Sequence, residues 1–224
     1  MIPGRNFRPG DKMTVKLYAF PPSPRSFKAL WAAHHLGIDY ELQLVDLSKG
    51  AQRAPEHVAR NPNAKAPVLE HDGFVLWESN AIVEYLASLK PDSGILPQDT
   101  RARLNITKWM YWESSHWDAA CLVFAFERVV KPVFGMGEPD SRELQRGNQL
   151  FERAAKVLDS ELQKHRYIAG DQFTAADLSV GADMSISEAA QYPLEAFTAI
   201  RRWFEELRNL PSWQKTASLQ RPRT

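Results

Sequence analysis

Short stretches in which apolar and polar residues alternate are confined to the first third of the chain, and longer stretches with a period near 3.6 fill the rest. Val15-Lys16-Leu17-Tyr18-Ala19-Phe20 is partly alternating and predicts a strand, and the Pro-Pro-Ser-Pro run after it predicts an extended loop. From Ser26 to Leu36, Phe27, Leu30, Trp31 and His34 recur at helical spacing, with Gly37 where a C-terminal cap belongs. Tyr40 to Val45 alternates as a second strand, and Pro55 to Arg60 predicts a short helix before Asn61-Pro62. Pro67-Val68-Leu69-Glu70 and Phe74-Val75-Leu76-Trp77 flank His71-Asp72-Gly73, whose Asp-Gly step favours a hairpin; Ser79 to Leu89 then predicts a helix. The order strand, helix, strand, helix, strand, strand, helix predicts a thioredoxin-like α/β unit, although the pattern alone also admits other α/β sandwiches.

Pro91-Asp92-Ser93-Gly94-Ile95-Leu96-Pro97 is punctuated like a linker, and strand signals vanish beyond it. Helical periodicity covers Thr100 to Arg128, Arg142 to Lys164, Ala175 to Ala190 and Ala196 to Leu207, which predicts an all-α second domain. Thr174-Ala175-Ala176-Asp177 has the form of a capping box with Asp in place of Glu, a folding device of about 1 kcal/mol. The expected division is therefore a thioredoxin-like domain over 13–92, a linker over 93–100 and a helical domain over 101–224. Residues 1–12, rich in Pro, Gly and Arg, are expected to be a disordered N-terminal extension, with Met13 opening the first strand.

Composition narrows the partners. Of 224 residues, 44% are hydrophobic, enough for a conventional core, and 28 basic against 27 acidic residues give a net charge of +1. That balance offers no general attraction to nucleic acid or an anionic membrane. The single cysteine, Cys121, excludes an internal disulfide framework, fits a reducing compartment and reads as a buried small hydrophobe. No apolar run reaches the ~18 residues of a membrane span and no secretory signal is evident, so a cytoplasmic location is expected. The six histidines lack metal-ligand spacing, so no metal is expected; phosphate-binding, dinucleotide and esterase signatures are absent.

The most informative chemistry lies where the Phe74–Trp77 strand runs into Glu78 and Ser79 at the start of a helix. The free backbone N–H groups and positive dipole of such a helix start attract a carboxylate, and Glu78 can pair with an ammonium on the same molecule. A ligand with both groups is an amino acid or a γ-linked peptide, and Pro67 suits a bend that exposes a strand edge to it. Ser23, Asn61-Pro62-Asn63-Ala64-Lys65-Ala66-Pro67-Val68-Leu69 and Trp77-Glu78-Ser79-Asn80-Ala81-Ile82, in this order, closely resemble the cytosolic glutathione transferases. Within that family the likeness is to serine-type theta, delta and phi-like bacterial members, and it runs from about Met13 to Trp213.

The resemblance implies that Ser23 is the catalytic serine, donating a hydrogen bond that favours the ionised sulfur of glutathione; Ser26 is the runner-up. Lowering a thiol pKa from ~8.5 by two units takes about 2.7 kcal/mol, within reach of one charge-assisted hydrogen bond and a helix terminus. It further implies that Glu78 and Ser79 hold the γ-glutamyl group and that Pro67 is a cis-proline beside Ala66, with the Val68 backbone facing the cysteinyl part. Lys65, Gln52 or Lys49 would meet the glycyl carboxylate. Asn80 departs from the arginine of delta-like members, which weakens one expected carboxylate contact.

The helix carrying Trp109, Met110, Tyr111, Trp112, Glu113, His116 and Trp117 is expected to supply the second-substrate site, with Phe20, Trp109, Trp112, Glu113 and His116 as candidates; most of these tryptophans are expected to pack the core or a dimer interface. The implied activity is conjugation of glutathione to small hydrophobic electrophiles, or reduction of peroxides, by a homodimer. A non-catalytic scaffold of the same fold, and a glutathione-dependent thiol–disulfide oxidoreductase disfavoured by serine in place of cysteine, are the alternatives.

Overall fold

The computed structural model describes residues 14–220; the expected extension over 1–12 and its junction at Met13 lie outside them. Four strands, β1 (Val15–Ala19), β2 (Tyr40–Leu44), β3 (Val68–His71) and β4 (Phe74–Trp77), form a sheet of order β2-β1-β3-β4. β1 pairs parallel to β2 and antiparallel to β3, which pairs antiparallel to β4. Parallel pairing demands a long crossover, supplied by α1 (Pro24–His35), whereas the β3–β4 pair needs only Asp72 and Gly73, both at positive φ. This is the expected thioredoxin-like unit, completed by α2 (Pro55–Arg60) and α3 (Ser79–Ser88).

Helix α1 starts two residues earlier than its apolar period predicts. Ser23 is its N-cap and Pro24 occupies the first turn, where the missing N–H costs nothing and the fixed φ is already helical, so the proline-rich loop ends inside the helix. Ser26 to Ala33 are all buried, because α1 packs against α3 of its own unit and against two helices of the other.

Beyond Ser88 the described residues form helices and turns, with one isolated bridge between Tyr167 and Gly170. The segment expected as a linker forms a 3₁₀ turn at Pro91–Ser93 and is tied down, with Ile95 and Leu96 buried and the Ile95 carbonyl accepting from Ala175 N at 2.9 Å. A continuous helix then runs well past the expected end at Arg128. It comprises α4 (Thr100–Trp112), a π-helical turn Glu113–Trp117, α5 (Asp118–Ala125), a second π turn Phe126–Val130, and α6 (Lys131–Phe134), stopped by Gly135 in the left-handed region. Helix α7 (Ser141–Leu162) follows, capped by the Asp140 carboxylate. The predicted Ala175–Ala190 helix is α8 (Ala175–Ala182), a 3₁₀ turn Asp183–Ile186 and α9 (Ser187–Ala190).

The capping box at Thr174 and Asp177 is present, and Asp177 also accepts from Ile168 N at 3.0 Å and Trp203 Nε1 at 2.9 Å. Gly181 lets α8 approach closely, since a Cβ there would meet Leu207 at 2.6 Å and Trp31 at 3.2 Å. Helix α10 (Thr198–Arg208) leads to α11 (Pro211–Ala217), a seven-residue helix too short for the apolar period to announce. It packs on α1: Trp213 meets Phe27 and Trp31 at ring separations of 4.7 and 4.8 Å, and Ser212 Oγ accepts from Trp31 Nε1 at 3.1 Å.

Candidate active site

A cavity of about 600 Å³ opens between the N-terminal end of α1 and the α5–α6 stretch of the long helix. Ser23 lies in its wall, next to Phe20, Pro24 and Arg25. As N-cap, Ser23 has extended backbone, yet its hydroxyl makes no capping hydrogen bond. Its position is fixed by main chain alone: its N–H donates to Phe20 O and its carbonyl accepts from Phe27 N, both at 2.8 Å. An uncommitted hydroxyl thus stands beside the first free N–H groups of a 12-residue helix, where negative charge is favoured. The runner-up Ser26 is fully buried and its Oγ accepts from Phe20 N at 3.1 Å, so it shapes the loop instead of facing the cavity.

At the other end of the first unit, Glu78 begins α3 with φ 74 and ψ 115, a conformation costly for an L-residue, of the order of 1–3 kcal/mol. Its exposed carboxylate makes no cap bond, and Ser79 opens the helix half-buried. The Ala66–Pro67 peptide bond is cis. Val68 pairs with Tyr18 on one side and Trp77 on the other, and Ala66 lies outside the ladder. Gln52 lines the cavity with its Oε1 buried and unpartnered, while Lys65 is exposed and Lys49, 82% exposed, reaches toward Asp46.

Asn80 is turned inward. Its amide donates to Met110 O and Glu113 Oε2, each at 2.9 Å, and its Oδ1 accepts from Lys28 Nζ at 3.1 Å and Ser179 Oγ at 2.7 Å. Lys28 and Glu113 form an ion pair at 2.8 Å with both side chains at most 2% exposed. Burial pushes the Glu113 carboxyl up, but Lys28 and the Asn80 amide pull it further down, and it stays below the usual range. The residue expected as a weakened ligand contact instead helps lock α1, α3, α4 and α8 together.

Of the five side chains expected at the second-substrate site, only Phe20 lines the cavity. Trp109 is 5% exposed, Glu113 belongs to the buried ion pair, Trp112 lies parallel to His116 and Trp117 and meets Trp109 edge-on, and His116 faces outward. The residues at i, i+4 spacing from Trp109 to Trp117 form the core-facing stripe, as the packing expectation held. The wall is built further along the same helix, by Cys121, Leu122, Ala125, Val129 and Phe134.

Sequence reasoning missed Arg25, Arg53, Asp118, Asp183 and Tyr192, all cavity-lining. Arg25 pairs with Asp118 at 2.5 Å. A lone acid in the apolar run Leu178 to Ile186 was the available signal for Asp183. Glu113, Asp118 and Asp183 bring oxygens within 4.8 Å of one another, but Lys28 and Arg25 already pair with two of them, which leaves a poor donor set for a metal.

The model of the family "Glutathione S-transferase, N-terminal domain" matches residues 13–88, and that of "Glutathione S-transferase, C-terminal domain" matches residues 141–206. The chain is 32% identical to glutathione S-transferase D7 of Drosophila melanogaster over 92% of this chain and 90% of that one. Among solved structures, glutathione transferase F7 of Populus trichocarpa superposes with a TM-score of 0.86 at 26% identity, covering 93% of this chain and 100% of that one. Maize glutathione S-transferase I in complex with an atrazine glutathione conjugate gives 0.85 at 27% identity, with coverages of 94% and 100%.

Proposed function

The chain belongs to the glutathione S-transferase family and is a glutathione transferase, and we propose that Ser23 activates the thiol of bound glutathione for attack on a small, largely apolar electrophile. The observation that carries this reading is the Ser23 hydroxyl, free of any capping bond at the start of α1 and in the wall of the cavity. A hydroxyl there donates to a sulfur, and the helix start adds its positive end; both favour thiolate over thiol. Binding then supplies proximity, with the electrophile held against Leu122, Ala125 and Val129.

Glutathione would lie across the first unit. Glu78 and Ser79 take the γ-glutamyl group at the start of α3, Ala66 and Pro67 meet the cysteinyl main chain, and Gln52 or Lys65 reaches the glycyl carboxylate. Asn80, turned inward onto Glu113 and Ser179, leaves the glutamyl carboxylate to Ser79 and the start of α3. A homodimer is supported by exposed apolar side chains on edge strand β4, Phe74 and Trp77, and on α4, Leu104 and Tyr111. Among the described residues no helix is long and apolar enough to cross a membrane, and the lone cysteine is buried; both are compatible with a cytoplasmic location.

Titrating glutathione into the wild type and a Ser23→Ala variant by calorimetry, while following thiolate absorbance across pH, tests the reading. Binding in both, with the variant's thiolate appearing one to two pH units higher, about 1.4–2.7 kcal/mol, is expected. An unchanged thiolate titration would remove Ser23 from the mechanism.

A further inference from the structure

Two buried side chains outside the cavity converge on one backbone carbonyl. His57, 4% exposed inside α2, and Asn61, 3% exposed just beyond it, both donate to Lys65 O, from Nε2 at 3.0 Å and from Nδ2 at 2.8 Å. A carbonyl only accepts, so His57 Nε2 carries a proton. Asn61 also wraps the turn around itself: its Oδ1 accepts from Asn63 N at 3.0 Å and its carbonyl accepts from Ala64 N at 2.9 Å.

Between these anchors Ala64 stands at φ 52, in the left-handed region that an L-residue adopts at a cost. Such a conformation persists only where its surroundings over-determine it, and a single donor would have satisfied the Lys65 carbonyl. The next residue, Ala66, is buried, and its N–H and C=O take part in no hydrogen bond among the described residues. A strained and doubly pinned step therefore leads straight into main chain with open bonds.

We propose that His57 is a positioning residue for glutathione: with Asn61 it holds the step from Ala64 to Lys65 so that the Ala66 main chain stands ready for the cysteinyl main chain of the tripeptide. The inference rests on the transferase reading above and deepens its glutathione site. His57 acts through a peptide plane. In the trans unit joining Lys65 to Ala66 the C=O and N–H point opposite ways, so holding the Lys65 carbonyl toward α2 turns the Ala66 N–H away from it. A segment already ordered in the free protein loses little freedom when the tripeptide arrives, which strengthens binding without any added contact.

The test measures glutathione affinity by calorimetry, thiolate absorbance of bound glutathione across pH, and denaturant unfolding, in the full-length wild type and three variants. His57→Phe keeps a ring and removes the donor; Asn61 still pairs with the Lys65 carbonyl, so the variant should fold. Its Kd for glutathione should rise about 10-fold, with the thiolate titration unmoved because Ser23 sits on α1. His57→Gln can present an amide N–H to the same carbonyl and should stay within about threefold of the wild type. Adding Ala64→Gly to His57→Phe should recover most of the lost affinity, since glycine takes the left-handed step freely.

An unchanged Kd in His57→Phe, a His57→Gln as weak as His57→Phe, a loss that Ala64→Gly leaves untouched, or a thiolate titration that shifts along with the affinity would each overturn the proposal. If His57→Phe does not fold, Ala64→Val opposes the same step with a branched side chain and carries the same expected rise in Kd; no rise there overturns the proposal. A wild type that binds no glutathione would instead overturn the transferase reading, and the calorimetry separates that failure from the others.

Discussion

Helix α1 meets two polar environments within a little more than one turn, and they are built on opposite terms. Ser23 and Arg25 look into the cavity, where the Ser23 hydroxyl is uncommitted, and Gln52 and Asp183 contribute buried oxygens without partners. Lys28, five residues after Ser23, enters the interior, where it, Asn80, Glu113 and Ser179 pair with one another across four helices. Both sets are charged or polar, and both are largely removed from water. What separates them is satisfaction: the interior set spends its hydrogen bonds on itself and fixes the angle between the two units, and the cavity set leaves bonds open for a ligand.

Breaking the interior set is expected to have the larger effect. Glu113→Ala leaves the Lys28 ammonium buried without its partner and should cost about 3–5 kcal/mol in denaturant unfolding. A loss below ~1 kcal/mol would mean that the pair is not buried as described. Asn80→Ala comes next at about 1–3 kcal/mol, from orphaned donors and acceptors. Because Asn80 sits one residue beyond Ser79 in α3, this variant should also raise KM for glutathione while leaving kcat nearly unchanged. The smallest effect belongs to the cavity side: Ser23→Ala removes no capping bond and should change stability by no more than about 0.5 kcal/mol, however large its effect on the thiolate. A large loss of stability there would erase the distinction between the two sets.

The sequence was most legible where local rules decide the outcome. The Asp72-Gly73 turn, the β4 strand from Phe74 to Trp77 and the Thr174–Asp177 capping box each rest on contacts between near neighbours, and each stands as its residues imply. Burial is a tertiary property, and there the reading failed. Trp109, Trp112 and His116 are chemically as suited to a substrate pocket as Leu122 or Phe134; only the path of the long helix past the first unit decides which turn faces the cavity. The π turn at Glu113–Trp117 adds a further shift that no apolar period announces. Asn80 shows the same limit from the other side, since a position matched to a ligand contact was taken over by Lys28, Glu113 and Ser179 from three other elements. Tyr192 was invisible for this reason too: it reaches the Ser23 cavity from more than 150 residues away in the chain.

Helix α11 carries a consequence for how the molecule comes into being. Its Trp213 and Ser212 close over the aromatic face of α1, where, among the described residues, Phe27 and Trp31 have no other aromatic cover from their own unit than each other. During synthesis the first unit therefore emerges with an unfinished hydrophobic face, which stays open until α11 of the second unit has been made. A chain that stopped before Pro211 would hold nearly every active-site residue and leave its central helix open to aggregation.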